Sequence, residues 1–173
     1  MPESYRPHLR SDDQHDKSSS QSVASNTAPS RATVREVLAA KEHKIISIHP
    51  EQTIHDAVVL LRDNRIGALL CLDDEGGLAG ILSERDIVRK LADTPGQTLP
   101  HRVEEVMTRT VETCTPDDLL AVVLARMTKG RFRHMPVMEG EALAGIITIG
   151  DAVHFRLNQL ELETLKIKQL IVG

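Results

Sequence analysis

The chain has 173 residues, a mass of 19.1 kDa and 40% apolar residues, which is room for one or two small domains around a packed core. Its formal net charge of −4 excludes the basic field on which general duplex or membrane-surface binding relies, and two Phe, one Tyr and no Trp exclude a stacking platform for single strands. No apolar run approaches the roughly 18–20 residues that span a bilayer, the N-terminus carries no signal-type apolar stretch, and two cysteines make neither a disulfide framework nor a four-thiolate zinc site. A soluble cytoplasmic protein with no nucleic-acid or membrane partner is expected.

Residues 1–31 are polar and rich in serine, as in Ser18-Ser19-Ser20-Gln21-Ser22. Such a stretch buries too little surface to offset its ordering entropy, so it reads as a disordered tail. Without residues 1–30 the chain holds 18 basic and 21 acidic residues, a net charge of −3.

From residue 32 onward the sequence repeats itself. Val34-x-x-Val37-Leu38 recurs as Val103-x-x-Val106-Met107, and Ile48-His49-Pro50 as Cys114-Thr115-Pro116. A helix follows in each copy, with Ile54, Ala57, Val58 and Leu61 on one face of the first and Leu120, Val123, Leu124 and Met127 on one face of the second. Arg65 then matches Arg131. Short apolar strands over Ala68–Leu72 and Met135–Met138 end in the turns Asp73–Gly77 and Glu139-Gly140. Leu78-Ala79-Gly80-Ile81-Leu82-Ser83-x-x-Asp86 finally answers Leu143-Ala144-Gly145-Ile146-Ile147-Thr148-x-x-Asp151.

Each unit therefore reads strand, helix, strand, turn, strand, helix. The predicted fold is α/β (α+β), with two pseudo-symmetric repeats over residues 32–98 and 99–158. Each repeat is a three-stranded sheet with two main helices, and the open sheet faces pack together to leave clefts about a pseudo-two-fold axis. A long helix is predicted over Asp151–Leu170, with residues 159–173 extending beyond the second repeat. Its apolar Val153, Leu157, Leu160 and Leu165 serve either a dimer contact or a cover over the protein's own core.

Gly80-Ile81-Leu82-Ser83-Glu84-Arg85-Asp86 and Gly145-Ile146-Ile147-Thr148-Ile149-Gly150-Asp151 resemble the signature of a tandem cystathionine-β-synthase (CBS) domain pair, the Bateman module, of the stand-alone bacterial type. Pro50 and Pro116 before the first helices, and Arg131-Phe132-Arg133-His134-Met135-Pro136-Val137, agree with it. The resemblance covers about Ala32 to Asn158. It implies binding of an adenine nucleotide (AMP, ADP or ATP), with NAD(H) or S-adenosylmethionine as further family ligands. It also implies regulation, including energy sensing, of an unknown effector protein in trans, and a homodimer.

Gly-apolar-apolar-Ser/Thr-x-x-Asp stands where a strand runs into a helix, and by itself a capping box explains Ser83 with Asp86 and Thr148 with Asp151. The same geometry suits a nucleotide. Asp86 and Asp151 can accept from ribose hydroxyls, Ser83 and Thr148 add hydroxyls, and the helix start favours a nearby phosphate. Gly80 and Gly145 would let the backbone approach the base. By resemblance Arg133 and His134 fall where phosphate contacts lie, whereas the first repeat has only Arg65 and Arg85 for that role. The Thr148/Asp151 cleft is thus expected to be the better phosphate site. Pro136 suggests an edge or bulge bordering it. Ile45 and Ile46, Thr110 and Val111, and Met135 are candidate walls for adenine.

Cys71 and Cys114 occupy apolar strand positions and read as buried structural thiols rather than redox sensors. No histidine spacing matches a metal motif, so no zinc site is expected. No nucleophile elbow, phosphate loop or Cys/His pair supports catalysis, so an enzyme is not expected. The alternative to a nucleotide-binding regulator is an assembly module that has lost its ligand.

Overall fold

The computed structural model describes residues 31–41 and 45–172. The tail expected over residues 1–31 lies, but for Arg31, outside the described residues. The elements run α1 (Val34–Ala39), β1 (Ser47–Ile48), α2 (Ile54–Asn64), β2 (Ala68–Leu72), β3 (Leu78–Ser83), α3 (Glu84–Asp93), a 3-10 turn (Val103–Glu105), α4 (Leu120–Gly130), β4 (His134–Glu139), β5 (Ala142–Thr148) and α5 (Ile149–Val172).

In the first repeat Thr53 caps α2. Its hydroxyl accepts from the Asp56 amide at 3.2 Å, and its own amide donates to Asp56 Oδ2 at 3.0 Å. Ile54, Ala57 and Leu61 face the core, but Val58, expected beside them, is 37% exposed. The helix ends at Arg65 in the left-handed region (φ 53°), a place usually taken by glycine. β1 pairs parallel with β2, and β2 antiparallel with β3. Between β2 and β3, Asp73 Oδ1 accepts from the amides of Glu75 and Gly77, and Gly76 takes the positive φ (80°) that the turn demands.

The second repeat reproduces this plan, including a left-handed Arg131 (φ 57°) after α4. Its β4–β5 hairpin carries a register shift between Val137 and Met138, matching the one between Cys71 and Leu72. The expected first strand is missing. In its place stands one parallel bridge, Cys114 to Val137, so this sheet has two strands rather than three. Pro136 explains the loss. It occupies the position of Leu70 and has no amide hydrogen to donate back to the segment before Cys114, so pairing cannot spread toward the N-terminus. The proline thus removes an edge strand, and the bulge, present in both repeats, does not depend on it.

Each repeat's leading segment packs into the other repeat. Val34, Val37 and Leu38 of α1 share a core with Leu120, Val123, Met127, Met135, Val137 and Ile147. Val103 and Met107 share the other core with Ile48, Ile54, Leu61, Leu69 and Leu82. The exchange is pinned by matching backbone bonds. Val34 and Arg35 amides donate to Asp118 and Pro116 carbonyls, and Leu120 donates to Ala32. Correspondingly, Val103 and Glu104 donate to Gln52 and Pro50, and Ile54 donates to His101. Burying Val34, Val37 and Leu38 contributes roughly 1.5–3 kcal/mol each as an upper estimate, which holds the short α1 in place.

The expected helix over Asp151–Leu170 is observed as α5. Its first turns pack on the second core through Ile149, Ala152 and Phe155, and every residue from Leu160 to Leu170 is exposed.

Candidate functional site

β5 delivers Thr148 to the start of α5, and Asp151 closes back on it. The Thr148 amide donates to Asp151 Oδ2 at 3.0 Å, and the Asp151 amide donates to Thr148 Oγ1 at 3.0 Å. A third group joins them, Lys41, whose Nζ lies 2.7 Å from Asp151 Oδ2. The Thr148 amide and the Lys41 ammonium both fall on Oδ2, which leaves Oδ1 as an acceptor uncommitted among the described residues. Burial works to raise the Asp151 pKa, but the Lys41 ammonium and the Thr148 bonds outweigh it, and the carboxyl sits below its ordinary value.

The first repeat builds the same box without the cation. Ser83 donates to Asp86 Oδ2 from its amide at 2.9 Å and from its hydroxyl at 2.5 Å, and Asp86 has no ion-pair partner among the described residues. Lys41 was not legible as a site residue. The repeat aligns it with Thr110, counting from Val34 against Val103, and only the exchange of leading segments carries it to Asp151.

His134 stands in register with Thr148. Its ring reaches the boundary between repeats, where a Cβ on Gly67 would lie 3.4 Å from it and 3.6 Å from Glu84 Oε2. Burial lowers the His134 pKa, against the pull of Asp151 and Glu84 and with the help of Lys41 and Arg133, so the ring is neutral at pH 7. Arg133 is exposed and forms no ion pair among the described residues, while its carbonyl accepts from the Ile149 amide at 3.1 Å. Arg85 spans the same boundary, where it donates to the Arg131 carbonyl at 3.0 Å. Lys41, Arg133, His134 and Asp151 therefore gather about one helix start, with Glu84 and Arg85 facing them from the first repeat.

Two expectations need correction. The space a side chain would take at Gly80 and Gly145 is filled by the protein's own exchanged segments and not by a base. A Cβ on Gly80 would meet the Thr108 carbonyl at 2.8 Å and Met107 Sδ at 2.9 Å, and one on Gly145 would meet Leu38 Cδ2 at 3.2 Å. The glycines admit the exchanged leading segments. Met135 is fully buried in the second core and offers no open wall, and Pro136 is buried beside it. The remaining wall candidates sit nearer the surface: Ile45 and Thr110 are exposed, Ile46 packs partly on the first core, and Val111 is half-buried.

Both cysteines are buried. Burial, aided by Asp86, pushes the Cys71 thiol up to about 12; burial and Asp118, opposed by Arg126, push Cys114 to about 11. Among the described residues no His, Cys, Asp and Glu cluster is placed to hold a metal, and no helix is long and apolar enough to cross a membrane.

The family description "CBS domain" matches residues 34–93 and 103–158. The chain belongs to the CBS-domain family. CBS pairs are regulatory, ligand-binding modules, and the architecture here is that of the Bateman module. A solved CBS-domain protein from Agrobacterium tumefaciens is 36% identical, with a TM-score of 0.71 over 73% of this chain and 94% of that one. A CBS domain pair solved in complex with 5′-methylthioadenosine and S-adenosyl-L-methionine is 27% identical, with a TM-score of 0.65 over 74% of this chain and 98% of that one. A mitochondrial CBS-domain protein of Arabidopsis thaliana is 29% identical over 71% of this chain and 62% of its own length. The chain spans less than two thirds of the length of the curated relatives it matches first.

Proposed function

We propose that this CBS pair is an adenine-nucleotide-binding regulatory module that acts in trans on a partner protein and carries no reaction of its own. The observation that carries this reading is the Asp151–Thr148 box. It holds a charged carboxylate with one oxygen uncommitted among the described residues, at a helix start that favours anions, among Lys41, Arg133 and a neutral His134. A ribose would bond Asp151 Oδ1, and a phosphate would meet the cations. The complex of a 27% identical CBS pair with adenosyl ligands supports the ligand class. Ser83 and Asp86 form the second candidate site, less suited to phosphate because no cation stands at Asp86 among the described residues.

The module is also proposed to be a homodimer through α5. Val153, Leu157, Leu160 and Ile167 are exposed and keep the four-three spacing of a coiled-coil seam, with Thr164 between them. Regulation then requires the effector to bind the liganded and empty modules unequally.

The test is thermal melting of the full chain against AMP, ADP, ATP, NADH and S-adenosylmethionine, with CMP as control. The proposal expects a saturable rise in Tm for at least one adenine ligand and none for CMP. A panel without any shift contradicts it and favours the ligand-free assembly module.

A further inference from the structure

The two motif boxes share their backbone contacts, the Ser83 hydroxyl adds a bond to Asp86 Oδ2 that Thr148 does not make to Asp151, and Lys41 is the charged group that separates them among the described residues. Its ammonium meets Asp151 at 2.7 Å, whereas Asp86 has no cationic partner among the described residues. The difference has a chemical consequence. A carboxylate that accepts from a ribose hydroxyl also repels any anion the ligand carries a few ångströms away, most strongly where water is partly excluded. The Asp151 side chain is only 23% exposed, so that repulsion would be felt. Lys41 cancels it without using Oδ1, and an ammonium has two further donors beyond the one given to Asp151.

We propose that Lys41 is the specificity-determining residue of the Asp151 cleft. It selects adenosine ligands that carry negative charge beyond the ribose over neutral and cationic ones, because it bridges Asp151 and the ligand's phosphate. This rests on the adenine-nucleotide reading of that cleft and deepens it by naming the charge class of the ligand. Arg133 adds positive charge felt at His134, but of the cations among the described residues Lys41 alone touches the carboxylate. A sulfonium ligand such as S-adenosylmethionine would place a cation beside Lys41 and be disfavoured there. The Asp86 carboxylate, with no cation at it among the described residues, imposes no such penalty. The two clefts are thus matched to different charge classes by a residue in the exchanged leading segment of the first repeat.

The experiment is calorimetric titration of the full chain with adenosine, AMP and S-adenosylmethionine, for the natural sequence, Lys41→Met and Lys41→Arg. A charge-assisted contact corresponds to about a 10- to 100-fold change in affinity. Lys41→Met is expected to weaken AMP by about that factor, to leave adenosine within about threefold, and to tighten S-adenosylmethionine. Lys41→Arg is expected to keep the preference for AMP. The Lys41 side chain is one-third exposed, and melting curves of each variant establish that it folds. Equal weakening of adenosine and AMP would overturn the inference, since Lys41 would then only shape the site, and so would no change in either. Absence of binding to any of the three by the natural sequence would overturn the inference before any variant is compared, and absence of a Tm shift with ADP, ATP and NADH as well would overturn the adenine reading itself.

Discussion

Gly80→Ala probes the exchange of leading segments, because the added methyl would collide with the segment that crosses over. Its Cβ would stand 2.8 Å from the Thr108 carbonyl and 2.9 Å from Met107 Sδ. Met107 can turn aside, but the carbonyl is held by paired bonds with Ile81, donated at 3.0 Å from the Ile81 amide and returned at 2.9 Å from the Thr108 amide. Displacing that segment forfeits about 1 kcal/mol for each bond and adds overpacking strain of about 1–3 kcal/mol. The lower entropy of alanine in the unfolded chain gives back about 0.5–1 kcal/mol. A net loss of about 2–4.5 kcal/mol follows. Gly145→Ala is the internal control, since its methyl meets only the flexible end of Leu38 at 3.2 Å, and it should stay within about 1 kcal/mol. Urea unfolding at equilibrium measures both, with Tm falling about 2–4 °C per kcal/mol as a second reading. Equal effects of the two substitutions, or a neutral Gly80→Ala, would refute the packing described here.

Asp151 makes a pH-dependent contribution to stability. Its folded pKa is depressed, so the contribution is complete above the ordinary carboxylate value of about 4 and is lost as pH falls through the folded value. The stability difference between the natural sequence and Asp151→Asn, measured in urea, should therefore shrink below about pH 4; a difference unchanged between pH 7 and 3 would count against the Lys41 pair. With their thiols raised and buried, Cys71 and Cys114 should resist alkylation in the native protein and react together in denaturant, and fast labelling of either at pH 7.5 would contradict their burial. For the dimer, light scattering at micromolar concentration should give about twice 19.1 kDa, and Leu157→Glu with Leu160→Glu should halve it. A monomer mass for the natural sequence would remove that proposal.

The fold was legible where local chemistry decides it. β2 appears at Ala68–Leu72 as the apolar run indicated, and α2 and α4 bury three of the four apolar positions assigned to each face. Both Ser/Thr-x-x-Asp motifs close the boxes their spacing implies. What was not legible is tertiary. Val34, Val37 and Leu38 look like the opening of the first repeat, and no local pattern says that they fill the second core. The role of the glycines and the arrival of Lys41 at Asp151, 110 residues away, follow from that one exchange. The missing strand before Cys114 was decided by a single proline on its neighbour, a donor lost across a sheet rather than along the chain.

The measurement that tests the central claim most directly is calorimetric titration of the natural sequence and Asp151→Asn with the adenine ligand that raises Tm the most. Asparagine keeps an oxygen for the Thr148 amide and loses the charge that Lys41 and a ribose share. With the pair partly exposed, the stability cost is about 1 kcal/mol or less. Saturable binding by the natural sequence is expected, with a loss of at least about tenfold in the variant, whose Tm falls by only a few degrees. Unchanged affinity in the variant would contradict the account and leave Asp151 as a helix cap alone.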